Sequence, residues 1–281
     1  MPFYLKADHQ STVRGRALLI ALLCLSASLA AQENYEIQVY GSETVKPGMT
    51  MVELHSNFTF QGTKKTIDGM WPTNHALHET IEITHGFTPW FETGFYIFMA
   101  SDRQHGYQWV GDHIRPRIAI PQSWKWPVGL SLSTEIGYQR TQYSPDTWTW
   151  EIRPIIDKEI GKFYLSFNPS VDRSFHGPGV SQGVTFSPNV KVGYDINKVV
   201  NAGFEYYGSL GPVTGFDIVR DQGQQIVPCI DLNLGPQWEF NFGVGVGFTQ
   251  GTDHLLVKMI VGRRFSFGSW RRPRESAAVV R

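Results

Sequence analysis

The chain has 281 residues, a formal net charge of zero, 41% hydrophobic residues and 18% charged ones. That length holds one large β domain or two small ones, and the composition excludes a disordered chain and a helical membrane protein. Nine Trp, 11 Tyr, 18 Phe and 28 Gly fit short turns between aromatic-rich strands, and the balanced charge argues against nucleic acid as a partner.

The first 31 residues read as a secretory signal peptide. Lys6, Arg14 and Arg16 make a positive start, residues 17–25 an uninterrupted apolar run, and Ser28, Leu29 and Ala30 a small-residue cleavage site. The run is too short to cross a bilayer comfortably as a helix. Leu23 before Cys24 departs from a lipoprotein signal. Cleavage after Ala30 or Ala31 leaves 22 basic and 24 acidic residues and one cysteine, Cys229. A single cysteine forms no intrachain disulfide, so the exported fold must hold without covalent staples.

Residues 32–50 contain a short extended run and a turn at Lys46, Pro47 and Gly48. We read them as a periplasmic lead-in, with an additional strand and a fourteen-strand count as the alternative.

From residue 51 to 267 the period is two almost throughout, which marks strands with two unlike faces. Val52, Leu54, Phe58 and Phe60 alternate with Glu53, His55, Asn57 and Thr59. Eleven further runs follow, near residues 81–83, 91–99, 114–120, 130–139, 148–157, 163–168, 184–194, 200–206, 226–234, 240–248 and 255–267. The run at 240–248 is the clearest: Phe240, Phe242, Val244, Val246 and Phe248 are apolar, and Asn241, Gly243, Gly245 and Gly247 lie between them. Most runs are about 10 residues long, the length of a tilted transmembrane strand, whereas soluble strands average about 5–6.

The connections alternate in length. Those near 87–90, 123–127, 159–162, 195–198 and 235–236 are short. Those near 61–74, 101–106, 142–146, 173–182, 209–224 and 250–253 are longer. Outer-membrane barrels show this rhythm, with tight periplasmic turns and longer external loops. Trp90, Trp124, Trp126, Trp148 and Trp238 fall near strand ends, as an interfacial girdle requires. The expected fold is therefore all-β, a transmembrane antiparallel up-and-down barrel of about 12 strands in the outer membrane of a Gram-negative cell.

On that reading ten charged residues face the lumen: Glu82, Arg115, Arg117, Glu135, Glu151, Arg153, Lys191, Glu205, Asp231 and Lys258. They either line a polar path, with Arg115, Arg117 and Arg153 set against Glu135, Glu151 and Glu205, or pair and plug the barrel. Gly262, Phe265 and Phe267 resemble the C-terminal signal read by the barrel assembly machinery, though an arginine-rich tail, 268–281, follows and would hang in the periplasm.

Residues 78–92 (HETIEITHGFTPWFE) and 187–195 (SPNVKVGYD) resemble two hairpins of the outer-membrane proteins named for the MetA pathway of phenol degradation, relatives of FadL-like transporters. The resemblance spans about residues 50–267. It implies a barrel and a transport role, and carries no binding residue across.

Chemistry is weakly signalled. His75, His78, His85, His105, His113 and His176 fall mostly near strand ends or loops. His75 and His78 would point to opposite faces of one strand, so no metal site is expected. The best local candidate for a barrel lipase is residues 174–181, with Ser174, His176 and Ser181, whose Gly and Pro read as loop punctuation. The expectation is a non-enzymatic channel for small solutes, hydrophobic ones included, with outer-membrane lipids as partners and no cofactor. A closed structural or surface-binding barrel is the second reading, and a lipid-modifying barrel enzyme the third.

Overall fold

The computed structural model describes residues 34–266. The signal peptide, 1–31, and the basic tail, 268–281, lie outside the described residues, as does Phe267 of the assembly signal. Twelve strands form one closed antiparallel barrel in which each strand pairs with its sequence neighbour and the first with the last. They are β1 (Met49–Gln61), β2 (Leu77–Thr88), β3 (Phe91–Asp102), β4 (Gly106–Ala119), β5 (Gly129–Gln139), β6 (Trp148–Ile160), β7 (Phe163–His176), β8 (Val184–Asp195), β9 (Val200–Ser209), β10 (Gly223–Leu232), β11 (Trp238–Gly247) and β12 (Leu255–Ser266). The seam runs from Met49 opposite Ser266 to Gln61 opposite Leu255. Closure leaves no sheet edge with unpaired backbone groups, the condition for a sheet to sit in lipid.

The direction of the apolar face is now visible. On β11, Phe242, Val244 and Val246 are 37–44% exposed, whereas Asn241, Gly243, Gly245 and Gly247 are buried. The same division runs through β1, where Leu54 and Phe60 face out and Glu53, His55, Asn57 and Thr59 are buried. An exterior of Leu, Ile, Val and Phe wrapped around a charged interior inverts a soluble protein, and lipid is the surrounding that suits it. Trp90, Trp124, Trp126, Trp148 and Trp238 are all exposed, at or beyond strand ends.

The loop rhythm holds except around β4. Residues 103–105 are a tight turn, because β4 runs out to Gly106 and Asp102 accepts the backbone N–H groups of Gln104 and His105, each at 2.7 Å. At the other end of β4, residues 120–128 form the longest connection on the short-turn side. Pro121 and Pro127 remove backbone donors there, and a 3-10 turn at Gln122–Trp124 ends on Lys125 at φ 51°. β4 also carries a bulge: Phe98 faces Gly111 and Met99 faces Trp109, so Val110 has no partner on β3 and turns into the interior, fully buried.

Residues 34–50 depart from the expected lead-in. β1 begins at Met49. Before it, residues 34–44 run extended through the interior of the barrel, with Tyr35, Glu36, Ile37, Val39, Tyr40 and Ser42 all buried. We call this segment the strap. It starts at the long-loop end, where Asn34 bonds Asp253 at 3.0 Å and its carbonyl accepts from Asn57 at 2.8 Å. It leaves at the short-turn end, where the Val45 N–H bonds Glu92 at 2.6 Å and the Gly48 N–H bonds the Gly86 carbonyl at 2.8 Å. Gly86 is needed there, since a Cβ would collide with the Val45 carbonyl. The lead-in reading failed because the buried face of the strap, unlike a strand's, is set by partners dispersed around the wall.

A charge on the outer face should destabilise the barrel. Phe242→Arg, midway along β11, is expected to cost about 2–4 kcal/mol, measured as a lower urea midpoint in lipid vesicles.

Candidate functional site

The interior of the barrel is the candidate site, and the two-residue period of the strands builds it. All ten charged residues expected there lie on the inward-alternating positions of their strands. Arg115, Glu82 and Lys258 are among the most buried large side chains of the molecule. Three networks gather them.

The first lies on β2, β3 and β4. Arg115 reaches Glu82 at 2.6 Å and Glu92 at 3.9 Å, and Arg117 reaches Glu92 at 2.7 Å. The second lies on β4, β5 and β6: His113 meets Glu135 at 2.6 Å, and Arg153 meets Glu151 at 2.7 Å. The third lies on β8, β9, β10 and β12. Lys191 reaches Asp231 at 2.9 Å and Glu205 at 3.2 Å, and Lys258 pairs with Glu205. Arg153 with Glu151 is thus the expected opposition. Arg115 and Arg117 instead take Glu82 and Glu92, Glu135 takes a histidine, and Glu205 takes lysines.

The strap joins these networks. Its Glu36 lies 3.6 Å from Arg153, and Tyr40 donates to Glu36. The guanidinium groups of Arg115 and Arg153 lie over the Tyr40 ring at 4.8 and 5.1 Å, a cation–π arrangement strengthened by burial. Its backbone is bound by the wall: Lys258 donates to the Ile37 carbonyl at 2.9 Å, Thr80 to the Tyr35 carbonyl at 2.7 Å, and Arg117 to the carbonyls of Gly41 and Glu43. The Tyr40 N–H and carbonyl are taken by Asn168 and Ser166 of β7. On the far wall, Asp157 accepts from both the N–H and the hydroxyl of Ser42.

Two apolar patches receive the strap's side chains. Tyr35 packs on Tyr96, Phe98, Ala100 and Val110, while Ile37 and Val39 pack on Tyr207, Val227 and Leu256. This explains why the alternation of β3 is imperfect: Tyr96 and Phe98 are inward-facing aromatics with an aromatic partner. Asp253, in the loop between β11 and β12, accepts from Asn34 and Thr73, and burial raises its carboxyl above the usual aspartate range.

Sequence reasoning overlooked Glu53, His55 and Glu92 as an inward group, and Glu36 and Tyr40 of the strap. Glu53 and His55 had the right parity on β1 to be found. The histidines sort differently from expectation. His78 and His113 lie inside β2 and β4 and are buried, the former edge-on to the Tyr35 ring at 5.0 Å. His75 lies before β2, at φ 62°. At residues 174–181, Ser174 donates to Asp146, Ser181 to the Pro178 carbonyl, and His176 shares a hydrogen bond with Thr147. Those hydrogen bonds draw the serines and the histidine to different partners, not to each other. Cys229 is buried on the inner side of β10.

No family model matches the chain, and no curated protein matches it either. The likeness of residues 78–92 and 187–195 to the phenol-degradation group therefore rests on those residues alone. Among solved structures, the chain is similar to the KdgM porin, with 10% identity, a TM-score of 0.49, and coverage of 77% of this chain and 99% of that one. It is similar to the NanC porin at 8% identity and a TM-score of 0.49, over 75% of this chain and 97% of that one. For Omp33 of Acinetobacter baumannii the values are 10%, 0.41, 80% and 100%. Similarity this slight does not bear on what the chain carries.

Removing one member of a buried network strands the others. Glu205→Ala leaves Lys258 without its carboxylate and is expected to cost about 3–5 kcal/mol, with Glu205→Gln costing less, both measured by urea unfolding in vesicles.

Proposed function

We propose that the protein is an outer-membrane channel for small solutes, closed in this conformation by its own strap. The observation that carries the reading is the strap itself, an extended segment passing from one mouth of the barrel to the other. It is held by hydrogen bonds, by groups of all three ionic networks and by two small apolar patches. No disulfide holds it, since Cys229 is the only cysteine among the described residues. A wall built to be permanently filled can use bulky inward side chains from the strands alone. Here the strands present short polar groups at Ser131, Ser133, Ser166 and Ser170, and a separate segment occupies the space, with Ser166 donating to its Tyr40 carbonyl.

The strap also indicates which solutes would suit the vacated lumen. Lys258, Arg117 and Thr80 offer donors to carbonyl oxygens, Arg153 offers a site for a carboxylate, and the patches accept an aromatic ring and branched aliphatic groups. A small amphipathic solute with an acidic or carbonyl group fits this pattern better than a purely hydrophobic one. The lead-in turn and the short connections would then face the periplasm and the long loops the exterior. No reaction is assigned.

The second reading, a permanently closed barrel with a structural or surface role, draws on the density of buried ion pairs. Planar-bilayer recordings separate the two. The wild-type barrel is expected to rest closed with rare openings, and deletion of residues 32–44 to give steady conductance. A folded deletion variant that neither conducts nor admits solutes into liposomes would leave the closed-barrel reading. Cys229 provides an independent readout. It is expected to resist a water-soluble maleimide in the wild type and to label readily after the deletion, as mass spectrometry would show.

A further inference from the structure

The inner face of β1 and β2 holds an arrangement that neither the ionic networks nor the strap accounts for. In the register of the two strands Glu53 stands directly opposite Glu82, and His55 follows two residues on, so all three project from the same face. Two carboxylates opposite one another on neighbouring strands repel, and these two are 6% and 1% exposed. Burial removes the water that would otherwise screen them. A cation or a shared proton between them relieves that repulsion, and Arg115 serves only one: it takes one oxygen of Glu82 at 2.6 Å. The other Glu82 oxygen points toward His55, 3.5 Å from its Nε2.

We propose that Glu53, His55 and Glu82 bind one divalent transition-metal ion of the zinc class in the barrel wall. One ligand atom from each lies within 4.8 Å of the other two, a spacing an ion between them can span. His55 is fully buried; its Nδ1 and Glu53 Oε1 have no hydrogen-bond partner, and its Nε2 and Glu82 Oε2 have only each other, at 3.5 Å. Buried imidazoles and carboxylates normally have partners, and one ring nitrogen of His55 with one oxygen from each carboxylate, three atoms in all, is the set the proposed cation would satisfy.

The neighbours are arranged to suit. On the far side of β1, Glu53 pairs with Gly262 of β12, where a Cβ would come within 2.8 Å of the Glu53 Cγ. Glycine therefore leaves the space in which the Glu53 side chain lies. Arg115 on one Glu82 oxygen, with Thr84 donating to the same carboxylate at 2.6 Å, would fix the orientation of the other oxygen. The nearby charges are Arg115, the Arg117–Glu92 pair and the Glu239–Arg264 pair. With Glu53 and Glu82 they leave a net negative pocket for a dication. One imidazole and two carboxylates suit Zn²⁺, Co²⁺, Mn²⁺ or Fe²⁺; the imidazole disfavours Ca²⁺ and Mg²⁺, and the lack of a thiolate disfavours Cu⁺. Such an ion would tie β1 to β2 beside the seam, and this inference stands whether or not the barrel conducts.

The test uses the mature, untagged barrel in detergent, stripped with a chelator and titrated with Co²⁺, followed by its visible absorption, and with Zn²⁺, followed by calorimetry and elemental analysis. The expected result is one ion per chain and a thermal midpoint raised by Zn²⁺. Glu53→Gln and His55→Gln should each weaken binding by about tenfold or more, and His85→Gln, outside the cluster, should not. Folding of each variant is checked by its heat-dependent mobility in detergent gels. Glu53→Gln removes a buried charge at constant shape and so is the variant least harmful to folding. Absence of a stoichiometric ion on the wild type at micromolar metal would overturn the proposal, because a proton shared by the two carboxylates would then suffice. Equal binding by Glu53→Gln and His55→Gln would overturn it as well.

Discussion

Arg115 sits at the junction of everything inside the barrel. Its guanidinium bridges Glu82 of β2 and Glu92 of β3 and lies over the Tyr40 ring of the strap. A closed sheet solves the edge problem for its backbone and creates another for its side chains, since whatever points inward must find partners from the same wall or from something placed within it. In water an ion pair of this kind contributes little. Inside the barrel a lone charge would be costly, so each cation is matched to carboxylates on its own strand, on other strands or on the strap. The pairing therefore sets register and wall position together, and the strap is held by the same groups.

That arrangement bears on motion. The strap's partners are distributed over β1, β2, β3, β4, β6, β7, β9, β10 and β12. Most are hydrogen bonds that water could replace one for one, and the apolar patches are small. The strands of the wall are bonded to each other without any pairing to this segment, which is what the proposed opening requires. A plug anchored mainly by a large apolar core would have no comparable exchange open to it.

Much of the wall was legible in the sequence because a two-residue period is a local signal. Parity alone assigned Glu82, Arg115, Lys258 and the Gly243, Gly245 and Gly247 series to their side of the sheet. Partner choice was not local. Whether Arg115 meets Glu135 or Glu82 depends on stagger between strands, which composition does not encode, and the bulge at Val110 shifts it further. The strap was the larger gap. Tyr35, Ile37 and Val39 look like an ordinary short strand, yet they pair with no strand, and their partners lie 45 to more than 200 residues further along. Glu53 and His55 were visible as inward residues, but the significance of Glu53 needed the register against Glu82. The loop rhythm erred only at β4, where proline placement and the Asp102 turn override it.

The direction of the strap has a consequence for how the molecule is made. Its first described residue lies at the long-loop mouth, and the chain reverses between residues 44 and 49 to begin β1 at the other. All the wall residues that hold it are later in the sequence, up to Lys258 on the last strand. Drawing residues 34–44 through a finished, filled interior would mean breaking each network in turn. A sheet that curls around the strap and then joins β12 to β1 avoids this, and the final strand both seals the wall and places Lys258 on the Ile37 carbonyl. On that route the wall would close around residues 34–44, with the β1–β12 seam the last pairing to form.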